Sequence, residues 1–252
     1  MPEAAILPTR RDEAWRYADI DALSVIGAGA LDRWREVTLD AGEEWRETMV
    51  VGGDTPELHR IRLTLGEGAR ADLFATIAGA SSARIEVDVT LGKGAHFEFG
   101  GVTIGGGDAV REFVTTTRHD EPDGTSNQTV RAVHWDEAAG NFLGEIKVAR
   151  HAQKTDAAQD FKGLLLEAGA SANAVPQLEI YADDVKCAHG ATVGQLDETA
   201  RYYMAARGLS PQRAQVLLVQ AFIGDAFVGM KDEGERDRLL DAALSALEGA
   251  SL

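Results

Sequence analysis

One cysteine and one histidine lie two residues apart in the segment Lys186-Cys187-Ala188-His189-Gly190. A thiolate and an imidazole are both ligands for transition metals. Because side chains two positions apart on an extended strand lie on the same face, both groups can address one site. Two ligands do not complete a tetrahedral site, and iron–sulfur clusters are usually held by four thiolates. Either a second chain supplies the missing ligands, or Cys187 is a small buried apolar residue.

The composition predicts a soluble globular protein with an acidic surface. The chain has 252 residues, of which 44% are hydrophobic and 26% are charged, which is enough to bury a substantial core. Its 25 Lys and Arg residues against 41 Asp and Glu residues give a net charge of −16. This charge repels phosphate backbones, so we expect no nucleic-acid partner, whereas a protein partner with a basic face is compatible with it.

Several features favour a cytoplasmic protein. A single cysteine argues against an intrachain disulfide framework. The first residues, Met1–Pro8, lack the basic region and apolar stretch of a signal peptide. No apolar run approaches the ~20 residues that cross a bilayer, so we expect no membrane association.

Residues 1–35 are predicted to form a short helical segment. Thr9 followed by Asp12 resembles a helix N-cap with an acidic residue in the first turn. Gly27 and Gly29 are expected to end the segment. Its apolar side chains can dock it on a larger body, and these are Trp15, Ile20, Leu23 and Ile26.

Residues 36–193 are predicted to form a parallel β-helix. Short β-prone stretches are separated by Gly, Asp and Asn, and Arg60–Leu65 alternates polar and apolar residues. The segment Leu63–Ala69 matches Val89–Ala95 at an offset of 26 residues, a period typical of solenoids. Strands without helical spacers favour stacked β coils. A β-sandwich is the alternative, because it also has short strands and glycine turns.

Residues 194–252 are predicted to form a helical domain. Asp197 is suited to cap one helix, and Ser210 begins another. The second helix has apolar side chains around a wider arc than one core-facing stripe requires, including Leu218 and Phe222. The helices can bury these side chains against each other, or they can leave an apolar groove for another subunit.

The segment Tyr181–Asp197 closely resembles the SufB/SufD family of iron–sulfur cluster assembly proteins. The resemblance continues through Gly144–Val148 and Ala152–Gln159 upstream and through Tyr202–Leu209 downstream. Near the N-terminus, Arg10–Tyr17 is similar to the family's short opening motif. One cysteine and a modest length favour the SufD branch over the SufB branch.

The resemblance implies a right-handed parallel β-helix followed by a small helical domain. It also implies a non-enzymatic scaffold that pairs with a SufB-like paralogue and binds a SufC-like ABC ATPase through its C-terminal helices. The family's thiol and imidazole fall on Cys187 and His189, so a nascent iron–sulfur cluster is expected at the interface with SufB, and none is expected to be held stably by this chain alone. The candidate contacts to the ATPase are Tyr202, Tyr203, Arg207, Leu218 and Phe222.

The resemblance leaves open the role of the short N-terminal region and the oligomeric state. SufD proteins commonly have a longer N-terminal helical region than residues 1–35 provide, and an open β-helix end can pair with a second copy to give a homodimer. The competing interpretation is a β-helix enzyme that acts on acidic polysaccharide, with carboxylates in a groove along the coils. Asp183 and Asp184 are considered as an acid–base pair, but a shared site is not expected. Adjacent residues on a strand point to opposite faces, and the net charge of −16 repels such a substrate.

Overall fold

A computed structural model describes residues 7–248 as a parallel β-solenoid with helices at both ends of the chain. Twelve strands form two six-stranded sheets, and each coil of the solenoid contributes one strand to each sheet. We call the sheet of odd-numbered strands wall A and the sheet of even-numbered strands wall B. The expectation about a signal peptide in Met1–Pro8 falls mostly outside the described residues.

The strands of wall A are β1 (Arg35–Leu39), β3 (Glu57–Leu65), β5 (Ala83–Leu91), β7 (Val110–His119), β9 (Ala139–Val148) and β11 (Ser171–Ile180). The strands of wall B are β2 (Glu44–Val51), β4 (Arg70–Ile77), β6 (His96–Gly105), β8 (Thr125–His134), β10 (Asp156–Leu165) and β12 (Lys186–Gly194). All the strand pairs in both walls are parallel. Because a β-sandwich is built from antiparallel sheets, this pairing confirms the predicted β-helix and rules out the alternative.

The 26-residue sequence repeat equals the stacking period of two neighbouring coils. Leu63 on β3 pairs in register with Val89 on β5, and both side chains are fully buried inside the solenoid. The fourth residue of each repeat is a glycine at a coil corner, Gly66 or Gly92, where the backbones approach closely. A Cβ atom at Gly92 would lie 2.7 Å from the carbonyl oxygen of Leu65, so a larger residue there would force the coils apart.

The interior of the solenoid contains both aromatic and polar side chains. The middle coils are filled by aromatic rings in edge or stacked contact, namely Phe97, Phe99 and Phe113. Farther along, Gln128 accepts a hydrogen bond from Thr115 and donates one to Thr117 at 3.0 Å. Buried polar groups are tolerated when they are hydrogen-bonded in this way.

The C-terminal helices cover the outer face of wall B. They are α2 (Glu198–Ala206), α3 (Pro211–Gly224) and α4 (Glu233–Glu248), with a short 3-10 turn at Asp225–Phe227 between the last two. Helices α3 and α4 pack on the wall through an apolar cluster that includes Phe74, Val102, Ile104, Val219, Ile223, Phe227 and Leu239, whereas α2 packs against α3. Within residues 7–248, no helix combines the length and hydrophobicity needed to span a bilayer.

The predicted helix caps are confirmed in this region. The side chain of Asp197 accepts hydrogen bonds from the backbone N–H groups of α2, and that of Ser210 accepts one at the start of α3. Both caps satisfy N–H groups that have no partner inside the helix.

The N-terminal segment is helical, as predicted, in three short pieces within residues 7–35. It contains α1 (Ile20–Ile26) and two 3-10 turns, Glu13–Trp15 and Ala28–Ala30. Thr9 does not cap a helix, because its hydrogen bonds to Asp12 close a turn instead. The cap of α1 is the side chain of Asp19.

Residues 7–33, which we call the strap, cross the outer face of wall A, where they bury Ala18 and Leu23 and also make polar contacts. The guanidinium carbon of Arg84 lies 3.9 Å from the centre of the Trp15 ring. The Arg84 side chain also donates a hydrogen bond of 2.7 Å to the backbone carbonyl of Ala14. Arg84 is buried with Glu86 and Glu112, and these two carboxylates raise the pKa of its guanidinium against the opposing effect of burial. The strap therefore docks on a compensated ion-pair network.

We predict that the buried histidines make the solenoid sensitive to mild acid. Burial lowers the pKa of His119 to about 4, and burial together with Arg111 lowers that of His134 to about 3. Below pH 6.5 the unfolded chain therefore binds protons that the folded chain does not, so the free energy of unfolding falls as the pH drops toward 4. The slope is about 1.4 kcal/mol per pH unit for each histidine.

Urea unfolding at a series of pH values between 7.5 and 4.5 tests this expectation. His119→Gln keeps a polar group beside Ser126. It should lower the pH slope of the free energy of unfolding by about 1.4 kcal/mol per pH unit, the contribution of one histidine. His151→Gln is the matched control, because the His151 side chain is 66% exposed, and it should leave the slope as in the wild type. Identical slopes for all three proteins would show that the interior histidines do not cause acid sensitivity.

Candidate metal centre and partner surface

The strand that carries Cys187 and His189 is the terminal strand of wall B. On one side β12 pairs with β10 over the register Asp156–Leu164. Its other edge has no strand partner among residues 7–248. A parallel strand with a free row of N–H and C=O groups is a template for pairing with another chain.

The register places both candidate ligands on the inward-facing side of this strand. Cys187 pairs with Ala157 and His189 pairs with Gln159, and both β10 side chains are buried inside the solenoid at 1% and 2% exposure. Since no further coil follows within the described residues, Cys187 is only partly buried and His189 is exposed. The structure thus brings the two side chains to one face at the uncovered end of the solenoid, as their spacing predicts.

The thiol of Cys187 is protonated at neutral pH in the unliganded chain. Burial and, to a smaller extent, the carboxylate of Asp156 raise its pKa, while a hydrogen bond with the backbone of Ala157 acts in the opposite direction. A thiol ligates metals as the thiolate, so metal binding at this residue must release a proton.

The two donors alone leave the coordination of a metal ion incomplete. Across residues 7–248, no group of three or more His, Cys, Asp or Glu side chains is arranged to hold a metal ion. A tetrahedral ion takes four ligands, and a cluster usually takes four thiolates. The residues at this end can therefore contribute part of a metal site whose other ligands come from outside the described chain.

The acid–base pair considered for a polysaccharide enzyme does not form. Asp183 and Asp184 lie in the corner between β11 and β12, not on a strand as the sequence argument assumed. The Asp184 carboxylate pairs with Lys154, and its backbone N–H donates to the side-chain oxygen of Gln153 at 2.9 Å. Through these contacts Asp184 stabilises the corner that precedes β12.

Helix α2 presents two tyrosines to solvent. Tyr202 is 78% exposed and Tyr203 is 57% exposed, and no residue of this helix is buried. The guanidinium carbon of Arg207 lies 4.8 Å from the centre of the Tyr203 ring. Large aromatic side chains beside an arginine are the composition found at the energetic centres of protein interfaces.

An apolar groove lies between α3 and the end of the solenoid. Leu218 and Phe222 on α3 line it from one side, and Val193 and Leu196 line it from the other, around a volume of about 340 Å³. The sequence allowed the helices either to bury their apolar side chains against each other or to leave a groove for another subunit. Both arrangements are present in part, because α3 packs against wall B and α4 while the groove stays uncovered.

A buried arginine forms ion pairs that connect the C-terminal helices to the solenoid, and no sequence pattern indicated them. Arg131 on β8 is 2% exposed and pairs with Asp160 on β10 at 2.5 Å and with Asp225 at the end of α3. The hydrogen bond from Arg131 lowers the pKa of the Asp225 carboxyl. Arg131 and Asp225 are 94 positions apart, so no local pattern could have shown that they meet.

Comparison with known proteins identifies a family that matches most of the solenoid. The family described as "SUF system FeS cluster assembly, SufBD core domain" matches residues 40–222. This range includes almost the whole solenoid, Cys187 and His189, and α2 with most of α3.

Three curated relatives illustrate the similarity. The iron–sulfur cluster assembly protein SufD of Escherichia coli (strain K12) is 32% identical over 75% of this chain and 45% of its own length. The SufBD family protein slr0076 of Synechocystis is 33% identical over 69% of this chain and 38% of its own length. SufD of Bacillus subtilis (strain 168) is 29% identical over 59% of this chain and 34% of its own length.

The chain thus spans less than half the length of each of these relatives. The family match nevertheless covers well over half of the chain itself. The chain therefore belongs to the SufBD core family of the SUF system for iron–sulfur cluster assembly, and it resembles the SufD members of that family.

Proposed function

We propose that this chain is the SufD-like scaffold subunit of a SufBCD-type complex. The observation that supports this most directly is the placement of Cys187 and His189 on one face of an unpaired terminal strand. In this role the chain performs no catalysis of its own. It contributes two ligands to a nascent iron–sulfur cluster, which is the cargo of the complex.

A SufB-like paralogue is the proposed partner at the free edge of β12. Strand addition would satisfy the exposed backbone groups of that edge and continue the sheet across the interface. It would also bring the partner's ligands to the same end as Cys187 and His189. When the paralogue is absent, the same edge can pair with a second copy of this chain, which gives a homodimer.

A SufC-like ABC ATPase is the proposed partner of the C-terminal helices. Tyr202, Tyr203 and Arg207 form an exposed surface on α2. The groove lined by Leu218 and Phe222 is a second candidate contact, next to β12. The net charge of −16 favours a partner with a basic face. An ATPase bound here would lie beside the strand that holds the proposed cluster ligands, so its conformational change can act on the shared site.

The polysaccharide enzyme is not favoured. Asp184 is paired with Lys154 in a coil corner, and a hydrolase of this kind needs two carboxylates facing one substrate bond.

We predict that His189→Ala lowers cluster formation in the assembled complex without affecting the fold. The side chain is exposed and has little packing to lose. We expect the iron and sulfide content of the anaerobically co-expressed complex to fall about tenfold or more, since loss of even an outer partner of a metal ligand costs about 10–100-fold in affinity. His151→Ala, at another exposed histidine, is the control and should leave the content as in the wild type.

Two results would contradict the assignment of the site. Wild-type iron and sulfide in the His189→Ala complex would remove His189 from the ligands. A stoichiometric cluster on the purified chain alone would show that no second polypeptide is needed.

We predict that Tyr202→Glu and Tyr203→Glu weaken ATPase binding. Interface aromatics commonly contribute about 2 kcal/mol or more on truncation, so we expect the Kd measured by calorimetry to rise at least about tenfold. Val25→Glu on the strap is a matched control, because Val25 is 73% exposed but lies far along the chain from α2. An unchanged Kd for both tyrosine variants would place the ATPase elsewhere.

A further inference from the structure

The two ends of the solenoid differ in the side chains that point into them. At the first end, β1 and β2 each have an edge without a strand partner among residues 7–248, and at the last end the same holds for β11 and β12. A free strand edge can pair with another chain. The last coil of one copy could therefore stack in register on the first coil of another copy and continue both walls without limit.

An ion pair spans the first end from wall A to wall B. Arg35 on β1 donates two hydrogen bonds to the carboxylate of Glu47 on β2, at 2.8 and 2.6 Å. Their register partners in the next coil are Ile61 and Leu73, which are buried inside the solenoid. Because register neighbours in a parallel sheet point to the same face, both charged side chains point into the first end.

This ion pair is in contact with water. The side chain of Arg35 is 49% exposed and that of Glu47 is 24% exposed. A groove of about 500 Å³ lies beside them, and its other lining residues include Arg33 and His59. A coil stacked on this end would remove that water from both charged groups. Their mutual attraction repays such a loss of hydration only where further hydrogen bonds replace the water.

The inward face of the last end has no Asp, Glu, Lys or Arg side chain. The register of β11 with β9 and of β12 with β10 identifies the inward positions. They are occupied by Ala172, Ala174, Pro176, Leu178 and Ile180 on β11 and by Cys187, His189, Ala191 and Val193 on β12. A partner that pairs here therefore covers a mostly apolar surface.

We infer that the Arg35–Glu47 ion pair closes the first end to strand addition, so that copies of this chain do not stack head to tail. Natural sheets use inward-pointing charges on edge strands to block edge-to-edge pairing in this way. The last end has no such barrier and stays available to a partner. The inference concerns the first end alone, so it does not depend on which protein pairs with β12.

Sedimentation of the full chain at a series of concentrations tests the inference. We expect the wild type to form no species larger than a dimer. Arg35→Leu combined with Glu47→Leu makes the first end apolar. The average mass of this variant should exceed that of the wild type about twofold or more and keep rising with concentration, because a head-to-tail contact does not close. Arg35→Glu combined with Glu47→Arg is the matched control, since it keeps both charges at this end, and it should sediment like the wild type.

Three sedimentation results would overturn the inference. They are a wild-type mass that grows beyond the dimer, a folded double-leucine variant that sediments like the wild type, and a charge-swapped variant that associates as strongly as the double-leucine variant. Hydrogen exchange of the wild type decides even if the double-leucine variant fails to fold. Amide exchange in β1 and β2 should stay the same as the protein concentration is raised, and slower exchange there at high concentration would contradict a closed first end.

Discussion

The structure depends on the in-register parallel stacking of its coils. Each inward position lies directly beside the same position in the next coil, so the side chains inside the solenoid form continuous columns. A column is closed by the coil that follows it, and the last coil has no successor within residues 7–248. The same register that buries Ala157 and Gln159 therefore leaves Cys187 and His189 facing the same way but uncovered. The candidate metal centre therefore lies at the end of the core that no described coil covers.

The C-terminal helices lie on the same sheet as the candidate metal centre, because they pack on wall B and β12 is the terminal strand of that sheet. Arg131 connects the end of α3 to β10 through Asp225 and Asp160, and β10 is the only described strand that pairs with β12. The apolar groove also runs from α3 to Val193 on β12. A partner that moves the helices thus acts on elements that contact the strand with the ligands, which is the physical coupling that the proposed scaffold requires.

Sequence reasoning predicted the features that arise from local pattern. The 26-residue match between Leu63–Ala69 and Val89–Ala95 is the stacking period itself, and the i, i+2 spacing of Cys187 and His189 is enough to place them on one face. Features that depend on distant contacts were missed or wrong. Asp184 lies in a coil corner, where its carboxylate pairs with Lys154, 30 positions away, whereas Thr9 closes a local turn with Asp12. Arg131 has no distinctive sequence neighbourhood, since its partners Asp160 and Asp225 come from the next coil and from the end of α3.

The central claim is that this chain supplies part of a metal site that a second polypeptide completes. Anomalous scattering from iron in crystals of the anaerobic complex with a SufB-like subunit tests it most directly. The account predicts an iron peak at the free end of wall B, at ligand distance from Cys187 or His189 and from at least one residue of the partner. Iron coordinated only by the partner, or only by this chain, would contradict it.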